Sequence, residues 1–218
     1  MPSETCLPEG ATPLFRQPEQ VKNHQIITEA VHGAGGKICL HILHTGRYSR
    51  HENPIAPSPI KAPIDRFMPI EASSEQIEQE IKNFADFSVF CQQAGYNGVE
   101  IKGYEGYLIS EFIAARTNQR SDQWGGSYKN RIRFPIEIAK RVRERVGEKF
   151  IIIFRLSMLD LVEGGSSFEE IVELGNELCD AGVTLMNTGI GWHEAKIPTI
   201  ATKVPRAAFT WVTAKFRD

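Results

Sequence analysis

Apolar positions along the chain alternate between helical spacing and short continuous runs, with a glycine between each helix-like stretch and the next run. Over 74–94, Ile77 and Ile81 recur at helical spacing, Ser74 is the predicted N-cap, and Gly95 ends the pattern. The whole pattern predicts helices over 19–34, 74–94, 130–146 and 167–181, and strands over 37–43, 98–102, 150–156 and 183–187. Such alternation is typical of an α/β fold with a parallel sheet.

Long polar connections follow the predicted strands, whereas the connections from helix to strand are short. A (β/α)8 barrel builds its active site from such strand-to-helix loops. A doubly wound sheet also binds ligands at strand ends, but its G-x-G-x-x-G phosphate loop is missing here. We therefore expect a TIM (β/α)8 barrel. Because only four of its eight strands can be found, the chain is either an open four-stranded layer or an incomplete barrel with about four βα units.

Composition and charge exclude several classes of function. Of 218 residues, 41% are hydrophobic, and a net charge of −2 leaves no basic surplus for binding a nucleic acid or an anionic membrane. The longest purely apolar run, 150–154, is far shorter than the roughly 20 residues that a membrane span needs. The N-terminal sequence lacks the features of a targeting segment, so we expect a cytoplasmic protein.

The four cysteines indicate neither a disulfide framework nor a metal site. Cys6, Cys39, Cys91 and Cys179 stand far apart without a C-x-x-C pair. Three of them fall inside apolar segments, where a cysteine packs as a small hydrophobic residue.

Polar side chains that an apolar core would not choose follow each predicted strand. They are His41, His44 and Arg47 after the first strand, Lys102, Glu105 and Tyr107 after the second, Arg155 and Asp160 at the third, and Asn187, His193 and Glu194 after the fourth. In a parallel barrel all of these side chains share one rim.

Arg155, Tyr107 and His193 each allow two interpretations, one as a residue of an active site and one as a purely structural residue. Arg155 ends an apolar run, where a guanidinium needs either a salt bridge or an electron-accepting cofactor beside it. Tyr107, in a glycine-flanked loop, is either a general acid or a ring packed under the loop. His193, in the loop after the fourth predicted strand, is likewise either a catalytic residue or a structural one.

A metal site is the least favoured interpretation. His41 and His44 are three residues apart, and residues at that spacing in a strand point to opposite faces. A metal-dependent barrel hydrolase would have to use His44, His193 and Asp160. We therefore expect no metal.

The stretch 121–134, SDQWGGSYKNRIRF, resembles the D-x-[YW]-G-G-S-x-x-N-R-x-R-F signature of the old yellow enzyme family of flavin-dependent barrel oxidoreductases. Its Asp122, Asn130 and Arg131 are expected to tie the loop to the following helix. Further motifs resemble the NADPH-dependent 2,4-dienoyl-CoA reductase branch, namely HTGRYS at 44–49, EGYLI at 105–109, RTNQRSDQW at 116–124, RLSMLD at 155–160 and NTGIGWHEA at 187–195.

The resemblance implies an FMN enzyme in which electrons from NADPH reach the conjugated double bond of a 2,4-dienoyl-CoA as a hydride from FMN. Tyr107 would donate the proton with His193 as its partner, and Arg155 and His41 would contact FMN, with Arg155 at the N1/O2 edge. The residues that match acyl-CoA substrate contacts are Arg116, Thr117, Asn118, Gln119, Glu194, Ala195 and Lys196.

Two departures from the family accompany this resemblance. His41 stands where the family has Gln, and a neutral His donates and accepts only through two differently placed nitrogens, so flavin affinity or potential is expected to differ. Residues 1–218 would form a partial FMN-binding barrel domain, with the iron–sulfur cluster and FAD expected only in a full-length family member. The main alternative is a catalytically silent barrel fragment that binds no flavin alone.

Overall fold

A four-stranded parallel sheet organises the chain. The computed structural model describes residues 18–197 and 202–217. The sheet contains, in spatial order, β1 (Cys39–Ile42), β4 (Gly98–Gly103), β5 (Ile151–Leu159) and β6 (Leu185–Ile190), while β2 (Ile55–Ala56) and β3 (Ile70–Glu71) form a separate parallel pair. Neighbouring parallel strands in chain order, with helices between them, are the arrangement of part of a (β/α)8 barrel. The predicted incomplete barrel is confirmed.

The helices are α1 (Pro18–Gly33), α2 (Ser74–Gln93), α3 (Leu108–Ile113), α4 (Tyr128–Arg131), α5 (Arg133–Val146), α6 (Phe168–Asp180) and α7 (Thr210–Arg217). The N-cap of α2 is Ser73, and the prediction of Ser74 was wrong. Ser73 forms a capping box with Gln76, and Ser167 forms one with Glu170 at the start of α6, each contributing about 1 kcal/mol.

Two further predicted boundaries were wrong. The helix predicted over 130–146 is divided at Ile132, because Pro135 has no N–H to donate to the carbonyl of Arg131. The last strand runs over Leu185–Ile190, shifted from the predicted 183–187, because its pairing with β5 sets its limits.

The sheet has two unlike faces. Val99, Ile101 and Phe154 are fully buried in the apolar core with helices α2, α5 and α6. The alternate positions point to the opposite face and remain partly exposed. We call this second surface the open face; it carries His41, Glu100, Lys102, Arg155 and Asn187.

Cys39, Cys91 and Cys179 are free thiols. Cys6 and the N-terminal segment 1–17, in which no strand was predicted, lie outside the described residues. Within 18–197 and 202–217, no helix combines the length and the apolar character needed to cross a membrane.

Candidate active site

A tyrosine and a histidine meet at the carboxyl end of the sheet. Tyr107 follows β4 and His193 follows β6, and the Nε2 of His193 lies 2.8 Å from the hydroxyl of Tyr107. Their ring centroids are 5.1 Å apart in an edge-to-face contact, and the ring of Tyr48 packs edgewise on both. The structure thus brings the two predicted catalytic residues together, while their catalytic roles stay predictions.

Backbone geometry holds this pair from both sides. Glu105 and Gly106 have φ angles of 66° and 84°, so the chain turns sharply before Tyr107. A Cβ on Gly106 would lie 2.5 Å from the hydroxyl of Tyr48, which requires glycine there. The N–H of His193 donates to the carbonyl of Glu105 at 3.2 Å, so the loops after β4 and β6 are hydrogen-bonded to each other.

The end of β5 supports His193 through its neighbour Trp192. The backbone N–H of Trp192 donates to the carbonyl of Asp160 at 3.0 Å, and its indole N–H donates to the Asp160 carboxylate at 2.8 Å. The same carboxylate accepts from the Ser157 hydroxyl and the Ser166 backbone. Because Asp160 is buried and fully engaged, it anchors the rim.

Electrostatics keep the Tyr107 phenol protonated. Burial, together with the negative charges of Glu105 and Asp65, raises the pKa of Tyr107 to about 12. The ammonium of Lys102 lies 4.4 Å from the centre of the Tyr107 ring, but Glu105 pairs with that ammonium at 2.6 Å. The phenol is therefore a proton donor at neutral pH and not a phenolate.

Arg155 presents an unpaired cation on the open face. It lies in register with Lys102 on β4 and Asn187 on β6. Its guanidinium stacks 4.5 Å from the ring centre of Tyr104, and its Nε is buried without a hydrogen-bond partner. A half-buried guanidinium that makes no hydrogen bond favours an anionic or electron-rich ligand beside it.

His41 lies on the same face but has a partner. Its Nδ1 hydrogen-bonds to Glu100, and the amide of Asn187 donates to the other oxygen of Glu100. Burial raises the pKa of Glu100, but the hydrogen bonds from Asn187 and His41 outweigh it and hold the pKa below its usual value. The side chain of His41 is partly exposed, and only its Nδ1 is engaged by Glu100.

A cleft of about 600 Å³ opens beside the Tyr107–His193 pair, a size suited to a small-molecule ligand. Its walls include the apolar residues Leu43 and Ile64 and the charged residues Arg50 and Asp65. Asp65 was not predicted from the sequence, because a single acid in a proline-rich loop gives no periodic signal.

Two of the predicted substrate contacts bind each other instead of facing solvent. The Glu194 side chain is only 2% exposed; one oxygen accepts from Arg116 at 2.5 Å, and the other accepts from Arg47 at 2.7 Å and from the Tyr48 hydroxyl at 3.0 Å. The Arg47 backbone N–H donates to the fully buried Glu111 at 2.9 Å. We call Arg47, Tyr48, Glu111, Arg116 and Glu194 the arginine–glutamate cluster.

Glu111 is a second functional residue that the sequence pattern did not predict. It lies within the apolar run LISEFI at 108–113, and a lone acid in such a run is a signal that could have been used. Burial raises the pKa of Glu111 well above its usual value, while Arg47 acts in the opposite direction.

The other predicted substrate contacts fall into buried and exposed groups. Thr117 and Asn118 are buried, and their side chains donate to backbone carbonyls of α3 and the following loop at 2.7–2.8 Å. Gln119 and Lys196 are exposed, and Ala195 is half-buried. Their contacts with substrate stay predictions.

The signature loop has the structural role that was predicted for it. The Asp122 carboxylate accepts from the backbone N–H of Trp124 at 3.0 Å. The amide of Asn130 donates to the carbonyls of Asp122 and Gly125, and the guanidinium of Arg131 donates to the carbonyl at the end of α3 at 2.8 Å. These bonds tie the loop to the helices on both sides of it.

His44, His193 and Asp160, the residues that a metal-dependent hydrolase would use, each hydrogen-bond to a different partner. The ring of His44 is buried and accepts from the Gly46 backbone at 3.0 Å, and burial lowers the pKa of His44 to about 3. His193 is bonded to Tyr107, and Asp160 anchors Trp192. In the part of the chain that the structure describes, no three His, Cys, Asp or Glu side chains come together in a way that could hold a metal ion.

Comparison with known sequences identifies relatives of the chain. The profile of the NADH:flavin oxidoreductase / NADH oxidase family matches residues 9–218. An NADH oxidase of Thermoanaerobacter brockii is 39% identical over 179 residues, which is 80% of this chain. The chain spans only 27% of the length of that relative.

Solved structures agree with the sequence comparison. A 2-naphthoyl-CoA reductase in complex with 2-naphthoyl-CoA superposes with a TM-score of 0.87 at 29% identity, over 93% of this chain and 34% of that one. An old yellow enzyme homologue from Zymomonas mobilis superposes with a TM-score of 0.80 at 27% identity, over 90% of this chain and 61% of that one.

Proposed function

Because the chain belongs to the NADH:flavin oxidoreductase / NADH oxidase family, we propose that it forms part of an FMN-dependent oxidoreductase that reduces a carbon–carbon double bond conjugated to a carbonyl group. The observation that carries this proposal is the hydrogen-bonded Tyr107–His193 pair beside an open cleft, with the phenol held protonated. A hydrogen-bonded acid beside a cleft is what protonation of a reduced alkene requires.

The chain's own residues fit one edge of FMN. Reduced FMN, when bound, supplies the hydride, and the protein must then stabilise an electron-rich ring and deliver a proton. Arg155 would face the ring, because its buried Nε lacks a partner within the described chain. His41 would contact the same edge through the ring nitrogen that Glu100 does not engage.

Tyr107 and His193 have different roles in the reduction of the double bond. The Tyr107 hydroxyl holds the proton that goes to the substrate carbon. His193 orients that hydroxyl across 2.8 Å and, from its place in the cleft wall, hydrogen-bonds the substrate carbonyl. The apolar side chains of Leu43 and Ile64 give the carbon skeleton of the substrate an apolar contact in the cleft wall.

We propose further that the substrate is a CoA thioester, specifically a 2,4-dienoyl-CoA, and that NADPH is the electron donor. We also propose that the protein is located in the cytoplasm. The motif resemblance supports the dienoyl-CoA, and the likeness to a reductase solved with 2-naphthoyl-CoA supports an acyl-CoA in general. The proposed contacts are the exposed Gln119 and Lys196 at the rim. The NADPH assignment is tested by comparing the rates at which NADPH and NADH bleach the flavin absorption.

The decisive experiment is Tyr107→Phe in the FMN-loaded enzyme, with the two half-reactions followed separately by stopped flow. Flavin reduction by nicotinamide is expected to be unchanged, whereas reoxidation by the unsaturated acyl-CoA slows about 100-fold or more, the usual worth of a general acid. Reoxidation at the wild-type rate would contradict the proposal.

Tyr96→Phe provides a matched control. Tyr96 also hydrogen-bonds a histidine, His24, at 2.8 Å, but it lies outside the cleft. Both half-reactions are expected to stay at wild-type rates in this variant. A preparation without a flavin spectrum would favour the silent-fragment alternative instead.

A further inference from the structure

Asp65 is a carboxylate in the cleft wall without a partner of its own. It lines the same cleft as Tyr107 and His193, and it is half-buried. Among the described residues, none hydrogen-bonds or ion-pairs with its carboxylate, whereas Glu105 and Glu194 are both paired with cations. Its charge therefore acts on whatever occupies the cleft.

The field of Asp65 reaches the reacting end of the cleft. Its negative charge contributes to the raised pKa of Tyr107, and the charge of His193 acts in turn on Asp65. Two arginines also act on Asp65: Arg47, which is paired with Glu194, and Arg50, which lies in the cleft wall but is exposed, so that solvent screens it more than the half-buried Asp65. A ligand group beside Tyr107 and His193 thus meets the negative charge of Asp65, which no hydrogen bond or ion pair within the described residues neutralises.

From this arrangement we infer that Asp65 is a specificity-determining residue that disfavours substrates with a free carboxylate at the reacting end and so favours uncharged carbonyl groups such as thioesters, esters and ketones. The inference rests on the proposed function. A carboxylate conjugated to the double bond would place its charge where the substrate carbonyl meets His193. An uncharged thioester or ester in that position experiences no such repulsion.

The test compares Asp65→Asn with the wild type in the FMN-loaded enzyme, using cinnamate and methyl cinnamate, which differ in charge at the carbonyl. The variant is expected to raise kcat/KM for cinnamate relative to methyl cinnamate about tenfold. Glu71→Gln is the matched control, because it removes an exposed carboxylate from β3 that does not line the cleft, and its ratio should equal that of the wild type. An unchanged ratio in Asp65→Asn would overturn the inference.

Binding of unreactive probes separates this inference from the proposed function. Benzamide and benzoate are titrated by calorimetry, and Asp65→Asn should improve benzoate binding about tenfold relative to benzamide. In the wild type, raising ionic strength from about 0.01 M to about 1 M should strengthen benzoate binding relative to benzamide, because repulsion is screened. Weakening by salt would show attraction by Arg50 and overturn the inference, whereas loss of methyl cinnamate turnover in the wild type would count against the proposed function alone.

Discussion

The arginine–glutamate cluster and the open face carry charged side chains at the same end of the sheet, but they differ in how those charges are paired. In the cluster, both oxygens of Glu194 accept hydrogen bonds from donors within the chain, while the Nε of Arg47 and one oxygen of Glu111 are buried without a hydrogen-bond partner among the described residues. On the open face, the guanidinium of Arg155 has no hydrogen-bond partner among the described residues. A carboxylate with both oxygens engaged holds its neighbours in place, whereas a guanidinium that makes no hydrogen bond is available to a ligand. Glu194 therefore helps to build the rim, and Arg155 is available to a ligand on the open face.

The strongest test of this difference is Glu194→Ala in the cluster. Removal of one carboxylate leaves the buried guanidinium of Arg47 without its charged partner, so the free energy of unfolding should fall by about 3–5 kcal/mol. Urea unfolding followed by circular dichroism measures it. The control Glu144→Ala breaks an exposed pair with Arg141 and should cost less than about 1 kcal/mol. An equal decrease in the free energy of unfolding in the two variants would show that the cluster contributes no more to stability than an exposed ion pair.

A second test uses pH on the same cluster. Because burial raises the pKa of Glu111 above its usual 4.5, its contribution to stability is complete below that pH and is lost as pH rises toward the folded-state pKa. Glu111→Gln keeps an acceptor for Arg47 but cannot ionise. We expect the wild type to lose up to about 1.4 kcal/mol per pH unit in that window relative to the variant. Parallel stability curves from pH 4 to 8 would contradict the buried, protonated carboxyl.

Arg155→Met tests the open face, and its pattern should be the reverse. No hydrogen bond within the described chain is lost, so the free energy of unfolding should change by less than about 1 kcal/mol. The dissociation constant of FMN, measured by fluorescence quenching, should rise by about 10- to 100-fold, the worth of a charge-assisted contact. A stability loss comparable to that of Glu194→Ala, with unchanged FMN affinity, would place Arg155 among the structural residues.

The smallest effect is expected for His41→Gln. The amide can still donate to Glu100, so stability should change by no more than about 1 kcal/mol, roughly one hydrogen bond. The position of the donor toward FMN changes, so the FMN reduction potential, measured with reference dyes, should shift in this variant but not in an Asn83→Ala control on the far side of α2. An identical potential would show that His41 makes no contact with the flavin.

The repeating unit of this fold is readable from local sequence, because strand burial and helix caps depend on neighbouring residues. The four strands were predicted for this reason, and the shared rim of Tyr107 and His193 followed from the parallel barrel that those strands predict. The pairing of Tyr107 with His193 was predicted from the family resemblance, whereas the partners of Glu194 and Arg116 were not predicted, because such pairing depends on distant segments. The sequence around Glu194 does not distinguish a residue that contacts substrate from one that forms ion pairs with Arg47 and Arg116. The choice of Ser73 over Ser74 as N-cap, by contrast, was available in the sequence, because Gln76 stands three residues after Ser73 and completes a capping box.

The Arg47–Glu194 bond joins residues 147 positions apart in the chain. Closing so long a loop is entropically costly, so this contact forms after the local helices and neighbouring strands. During synthesis at about 5–20 residues per second, Glu194 leaves the ribosome roughly 7–30 seconds after Arg47. For that interval the nascent chain has an arginine that it cannot yet bury. The Arg47–Glu194 contact is consequently a late step of assembly, and a nascent chain halted before residue 194 should remain open to proteases at the loop that follows β1.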